Sequence, residues 1–411
     1  MTNAYDFLIV GAGLAGLYTA RELLRKNPTL RVCLVEKYKR VGGRAVTYKK
    51  GEYQWEIGAG RIAAEHAMVH GLIKEYGLHT VPIGSGLTYR ESGEVPYEEN
   101  HFEPSLPILL HPLLSLSPSV LGNHTLRELL IQIHGATATQ AWLTRFPYVS
   151  EMTVMRADMA LREFLHEMKG HEGYTVCKEG LSALADAMAE EITRLGGVIL
   201  RENELIEVAE GSATFLIGSW KDGTARPRRT ITATKIILAM EVDALRRLPL
   251  FRSWSVAKHV QMEPLFRIYA VFEEAWFHDL TRVVTASPIR YFLPVGEKTA
   301  MISYTDSKDA RHYMKILDTE GERALEAQVM KNLRELFPEK RIKKPLFFKP
   351  HPWTSGVSYW LPGSYEPAEM SKKALNPFHS IYVCGESFSI RQGWMEGALE
   401  HANLLLNLLQ K

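Results

Sequence analysis

The chain has 411 residues, more than one hydrophobic core supports, so two domains are expected and a small binding module is excluded. Apolar residues at 46% and charged residues at 23% are the balance of a folded globular protein, and a net charge of +2 excludes an electrostatic claim on nucleic acid. Three scattered cysteines, Cys33, Cys177 and Cys384, make neither a disulfide framework nor a metal site, and with no signal-type opening they point to a reducing, cytoplasmic setting.

In chain order, Phe7-Leu8-Ile9-Val10 reads as a strand buried on both faces, and it runs into Gly11-Ala12-Gly13-Leu14-Ala15-Gly16. Leu17, Ala20, Leu23 and Leu24 then recur at helical spacing until Asn27-Pro28, and Val32-Cys33-Leu34-Val35 forms a second strand ending at Glu36. Residues 65–169 read as mostly helical, with Thr125-Leu126-Arg127-Glu128 as a capping box. The apolar stretch 106–121 is too proline-rich to span a membrane and reads as an irregular loop. A helix over 181–195 follows, then strands over 198–200, 213–220 and 231–239. Strands over 265–272 and 300–304, a helix over 321–337, a strand over 380–384 and a helix over 395–409 complete the reading. The basic groups at Arg226, Arg228 and Arg229 and at Lys340, Arg341, Lys343 and Lys344 read as solvated loops.

The glycine loop carries the chemistry. It follows a buried strand and opens a helix, and Glu36 stands at the end of the next strand, where a carboxylate accepts both hydroxyls of a ribose. Glycines let the backbone approach a pyrophosphate, and the helix N-terminus favours its charge. This is a dinucleotide site. Arg40-Val41-Gly42-Gly43-Arg44 adds a second glycine bend and a guanidinium suited to the same pyrophosphate.

Glu36 with Arg40-Val41-Gly42-Gly43-Arg44 resembles the FAD signature of the flavin-containing amine oxidase family, which includes monoamine oxidases, L-amino-acid oxidases and polyamine oxidases. Tyr382-Val383-Cys384-Gly385-Glu386-Ser387 and Gln392-Gly393-Trp394-Met395-Glu396-Gly397-Ala398 are similar to its closing strand and flavin-facing helix. Glu179-Gly180-Leu181, Leu205-Ile206-Glu207-Val208 and Ile236-Ile237-Leu238-Ala239 are similar to its central segment. The resemblance implies an α/β fold, a discontinuous Rossmann-like FAD-binding domain of residues 1–75, 175–250 and 372–411 with an inserted α+β substrate domain of residues 76–174 and 251–371. It implies that FAD lies against the loop Gly11 to Gly16, Glu36, Lys37, Gly42, Gly43, Arg44, Gly58, Ala59, Gly60, Arg61 and Leu205. At the closing end it implies Gly385, Glu386, Gly393, Trp394, Met395 and Ala398. Glu386 would reach the phosphate or ribityl hydroxyls. Amides at the start of the last helix would face the flavin carbonyl where charge collects on reduction.

Substrate class turns on Trp55-Glu56-Ile57-Gly58-Ala59-Gly60-Arg61. Arg61 matches the arginine with which L-amino-acid oxidases clamp the substrate carboxylate, although Gly60 stands where they have methionine. The other reading of Arg61 is a salt bridge to a flavin phosphate or a neighbouring acid. Arg267 falls where the family has a lysine beside the flavin, and arginine lacks lysine's tunable pKa. Trp394 matches one wall of an aromatic cage, with Tyr359 or Trp360 as the other wall or as core packing, and Trp353 matches a tryptophan at the flavin's dimethylbenzene edge. No cysteine lies in 353–362, where monoamine oxidases attach their flavin, so FAD is expected to be noncovalent.

These readings combine into an FAD-dependent oxidase that takes a hydride from the α-carbon of an amine or L-amino acid, leaves an imine and passes the electrons to oxygen as hydrogen peroxide. Its partners are the small substrate and oxygen, with a homodimer possible and neither nucleic acid nor a membrane span. The alternatives are an FAD-dependent desaturase or oxidase of a large apolar molecule, which the stretch 106–121 would suit, and an inactive flavoprotein scaffold, which Arg267 would suit.

Overall fold

A computed structural model describes residues 4–83, 87–91, 108–146, 148–169, 173–218 and 226–410. Positions 106 and 107 of the apolar stretch and 219 and 220 of one expected strand lie outside these. The chain divides into two compact units, one of residues 1–81, 175–262 and 365–411, the other of 82–174 and 263–364.

In the first unit, the strand Tyr5–Val10 lies between Val32–Val35 and Arg228–Leu238, parallel to both, and Ile381–Val383 adds in parallel on the far side of Arg228–Leu238. Val198–Leu200 extends the other edge in parallel. These short strands are apolar on both faces because both faces are covered, which is the reason for the unbroken run Phe7 to Val10. The helix Leu14–Lys26 buries Leu17, Ala20, Leu23 and Leu24 and ends at Asn27, with Arg25 and Lys26 complementing its last carbonyls. The helices Leu181–Arg194 and Met395–Leu408 share its core through Leu184, Met188, Leu399 and Leu405.

The second unit holds a six-stranded sheet in the order Phe347–Trp360, Val260–Val271, Thr299–Asp306, Tyr291–Pro294, Arg282–Thr285 and Leu87–Arg90. Phe266, Ile268, Ala270 and Phe272 enter a core with Ile302, Phe292 and the helices Ser307–Thr319 and Glu322–Leu336. Leu265, Arg267 and Tyr269 therefore point to the opposite face.

Several expectations change. Strands Thr80–Ile83 and Leu87–Arg90 interrupt the region read as helical. The 14-residue strand Phe347–Trp360 escapes a sequence reading because it contains Pro350, Pro352 and Gly356, and it tolerates the prolines as the edge strand of its sheet. The stretch read as an irregular loop folds into a 3-10 turn, His111–Ser115, and a short helix, Pro118–Gly122, with Pro112 and Pro118 in first-turn positions that need no N–H. The Thr125 capping box is present as read. The basic groups are not merely solvated: Arg226 pairs with Glu204, and Lys340, Lys343 and Lys344 pair with Asp279, Glu274 and Glu326.

Candidate active site

The glycine loop is built by contact distance. Gly11 has φ +101, and a Cβ there would meet the Ala239 carbonyl oxygen at 2.3 Å, so only glycine makes this turn at the end of the first strand. The two glycine bends press together: the amide of Gly42 donates to Ala12 O at 2.7 Å, and a Cβ on Gly43 would come within 3.0 Å of Gly13 Cα. Glu36, 6% exposed, locks the pair. Its Oε2 accepts the amide of Ala12 at 2.8 Å and its Oε1 that of Tyr38 at 3.0 Å. Arg40 donates to Gly43 O at 2.7 Å, which fixes the second bend, while Lys37 lies exposed with its ammonium over the Tyr38 ring.

The closing segment meets this loop through charge. Arg44 donates to Oε2 of Glu386 at 2.8 Å, and the amide of Gly393 donates to Oε1 at 2.7 Å. Glu386 thus ties the second glycine bend to the entrance of the last helix. Leu205 is buried in the strand Asn203–Ala209 beside a bulge. Ala59 donates to Arg44 O at 2.9 Å, which carries Gly58, Gly60 and Arg61 to the same place. The Arg61 guanidinium lies 5.7 Å from the centroid of the Trp394 ring, and His66 meets that ring edge-on at 4.9 Å. The Trp394 indole is half-buried at the start of the last helix and does not cap it with its own side chain, and Met395 and Ala398 follow in the first turn.

Three residues that sequence reasoning left without a role complete this part. Glu396, 3% exposed, accepts the amides of Met68 and Val69 at 2.8 and 3.0 Å, joining the helix Ala67–Glu75 to the last helix. His66 accepts the Ala63 amide on Nδ1 at 3.1 Å. His401 accepts the Gly385 amide on Nδ1 at 3.2 Å and donates from Nε2 to Ser371 O at 3.1 Å, and burial pushes it down to about 4, so it stays neutral. The run Met395-Glu396-Gly397 held a visible acid, but nothing local shows that it caps another helix.

In the second unit Arg267 pairs in register with Tyr304, and its guanidinium sits 4.6 Å from that ring's centroid. Tyr359 is buried, and Trp360 is fully buried with its carbonyl accepting the Arg156 amide, so Trp360 is a packed residue with no open face. Trp353 is half-buried on the same strand. All three thiols are buried, with Cys33 and Cys177 pushed up to about 11 and Cys384 to about 12 by burial. Among the described residues no cluster of His, Cys, Asp and Glu could hold a metal, and no helix is long and apolar enough to cross a membrane.

Residues 14–404 match the family described as flavin containing amine oxidoreductase. The chain belongs to that family. Aplysianin-A of Aplysia kurodai is 24% identical across 98% of this chain and 89% of its own length. The L-amino-acid oxidase of Mus musculus is 22% identical across 96% of this chain and 69% of its own. The structure of wild-type putrescine oxidase bound to putrescine superposes with a TM-score of 0.74 at 18% identity, covering 99% of each chain. It shares the fold.

The cofactor of this flavoprotein is FAD, and the first unit fits it. The nearest atom to a Cβ on Gly13 is 3.9 Å away, leaving room beside the loop, and the first helix opens on Gly13 with no side-chain cap. That is the arrangement a pyrophosphate occupies. Glu36 keeps lone pairs for a ribose diol after accepting two amides, since a carboxylate takes about four hydrogen bonds.

Proposed function

We propose that the protein oxidises an amine or L-amino acid at its α-carbon. The substrate loses a hydride from carbon and a proton from nitrogen, giving an imine that water hydrolyses to a carbonyl and ammonia. FAD supplies the two-electron acceptor, and oxygen then takes two electrons and two protons to become hydrogen peroxide. The protein's own residues bind, orient and polarise. Glu36 and the paired glycine bends hold the adenosine end, and Glu386 fixes the closing segment through Arg44 and Gly393. The N-terminus of the helix that starts at Met395 favours negative charge on a carbonyl brought to it. The Trp394 ring is a flat apolar wall that holds a neutral amine and displaces water.

The observation that supports amino acids over simple amines is Arg61 beside the Trp394 ring, 5.7 Å from its centroid, on a segment anchored to the cofactor loop through Ala59 and Arg44. A planar guanidinium suits a carboxylate bidentately. Anaerobic bleaching of the flavin by phenylalanine and by phenethylamine tests the reading. Faster bleaching by the amino acid, with the preference lost in Arg61→Met while FAD stays bound, is the expected result. Loss of a buried charged partner costs on the order of 3–5 kcal/mol, which corresponds to a preference of at least a hundredfold. Bleaching of the wild type by the amine alone refutes carboxylate recognition at Arg61. Bleaching by neither across a broad panel, with no peroxide formed, refutes the oxidase.

A further inference from the structure

We propose that His401 is a positioning residue for the cofactor: its neutral imidazole holds the turn at Gly385 that presents Glu386 to FAD, and a proton on that imidazole releases the flavin. Gly385 follows the strand Ile381–Val383 at its carboxyl end, the edge of a parallel sheet at which ligands bind. Its φ of 133 and ψ of 178 lie in a region that only glycine occupies readily. Among the described residues nothing stands within 4 Å of where a Cβ would be, so this side of the turn is open to a ligand, while the amide is turned into the fold, where His401 Nδ1 accepts it at 3.2 Å. The Gly385 carbonyl takes only a long contact, from the Phe388 amide at 3.4 Å. Glycine loses more freedom on ordering than any other residue, so a turn of this shape needs a holder, and the imidazole is that holder.

His401 is 1% exposed and is itself fixed from the other side, where Nε2 donates to Ser371 O of the helix Pro367–Ala374 at 3.1 Å. The two partners dictate the state of the ring. An amide only donates and a carbonyl only accepts, so Nδ1 must be bare and Nε2 must carry the hydrogen. A charged imidazole has hydrogens on both nitrogens: it would set donor against donor at Gly385 and leave a buried amide without an acceptor. The next residue passes the disturbance on. Glu386 takes the Arg44 guanidinium at 2.8 Å and the Gly393 amide at 2.7 Å, so a turn that lets go at Gly385 shifts the carboxylate joining the second glycine bend to the start of the last helix.

Burial pushes His401 down to about 4 against a smaller upward pull from the Ser371 carbonyl. The charged groups on the elements around it are engaged elsewhere. On its own helix Glu396 holds two amides and Glu400 pairs with Arg391, and on the helix Pro367–Ala374 Glu369 pairs with Lys372 while Lys373 is exposed. On the first helix Arg21 pairs with Glu22 and Glu75. The Cys384 thiol, beside Thr19 of that helix at 3.8 Å, is pushed up to about 12 by burial and stays neutral. Flavin retention is therefore full at neutral pH and is lost as pH falls toward about 4.

The inference is read from the flavin alone and does not rest on the proposed substrate. The test is flavin release from the oxidised holoprotein, followed by the rise of free-flavin fluorescence, at about pH 7.5 and about pH 4.5, where about a quarter of the imidazoles are charged. His401→Asn places an amide oxygen near the position of Nδ1 and does not titrate; His401→Leu fills the space with no acceptor. At about pH 7.5 release from His401→Asn should stay within about threefold of wild type, and release from His401→Leu should be at least about tenfold faster. Carboxylates titrate in all three proteins, so the difference between them is what counts: on going to about pH 4.5, wild type should accelerate at least about fivefold more than His401→Asn. Equal acceleration in wild type and His401→Asn overturns the proposal, and this comparison holds even where His401→Leu does not fold. A His401→Leu variant that loses apoprotein stability in urea yet releases flavin at the wild-type rate also overturns it, because His401 is then a packing residue only. A protein that holds FAD through His401 yet oxidises no amine or amino acid upholds the inference while refuting the oxidase.

Discussion

Replacing Glu36 by alanine is the most direct probe of the cofactor cradle, because one carboxylate serves both protein and ligand there. In the folded chain it accepts the amide of Ala12, inside the first glycine bend, and that of Tyr38, beyond the second strand. Bound FAD adds the ribose hydroxyls. Hydrogen bonds to a charged group contribute about 1.5–3 kcal/mol each, so loss of the ribose acceptor alone weakens FAD by about tenfold to a hundredfold. The Ala12 amide also loses its acceptor, and the loop that a pyrophosphate needs ordered is released, which places the result at the weak end of that range. Glu36→Gln separates the two effects. It keeps one carbonyl oxygen but turns an NH2 group toward one of the two amides, so its affinity falls between wild type and Glu36→Ala. The assay is titration of apoprotein with FAD, followed by quenching of flavin fluorescence. Wild-type affinity in Glu36→Ala refutes the placement of the ribose at this carboxylate and leaves Glu36 as a loop anchor only.

Acid or heat should release all the flavin from the polypeptide, since no cysteine lies in 353–362; yellow colour retained by the precipitated chain would contradict this. Glu396→Ala leaves two amides at the start of the helix Ala67–Glu75 without their acceptor, and urea titration should show a loss of about 2–4 kcal/mol, with an unchanged midpoint as the contrary result. His401 has a folded pKa of about 4, below its ordinary value, so its contribution to stability is full above the unfolded pKa and is lost as pH falls toward about 4. From about pH 7 to about pH 5 the loss is about 2 kcal/mol. His401→Gln keeps one acceptor and one donor and should lose that much less over the same interval; equal losses in the two proteins would exclude His401 as the titrating group.

The parts of the molecule legible in the sequence are those whose cause is local. The turn at Gly11 to Gly16, the acid at Glu36 and the second bend at Gly42 and Gly43 are dictated by backbone geometry within a few residues, so their spacing alone announces a dinucleotide site. The Thr125 capping box is of the same kind. What escaped is non-local. Glu386 reads as a cofactor contact, and only the fold shows that Arg44 lies beside it, 342 positions away in sequence. Glu396 looks like a first-turn acid serving its own helix, and only the fold shows it capping another, 327 and 328 positions earlier. The position of Tyr304 depends on a one-residue bulge, which shifts a period-two pattern without leaving a mark in composition. At Trp360 the sequence leaves cage wall and core packing both open, and the structure buries the ring fully within its own unit.

The discontinuity of the first unit also bears on how the protein is made. Its central strand pairs with Arg228–Leu238, whose outer neighbour, Ile381–Val383, comes more than 140 residues later in sequence, and the helix Met395–Leu408, which shares the core of the first helix, later still. A ribosome delivering about 5–20 residues per second has therefore made every segment of the second unit before that sheet gains the strand Ile381–Val383. Until then Leu17 and Leu24, which pack in the same core as Leu399 and Leu405, lack that cover. Nascent chains stalled before residue 380 should thus be dependent on holdase chaperones and unable to retain flavin, and acquisition of the cofactor waits for the docking of the helix Met395–Leu408.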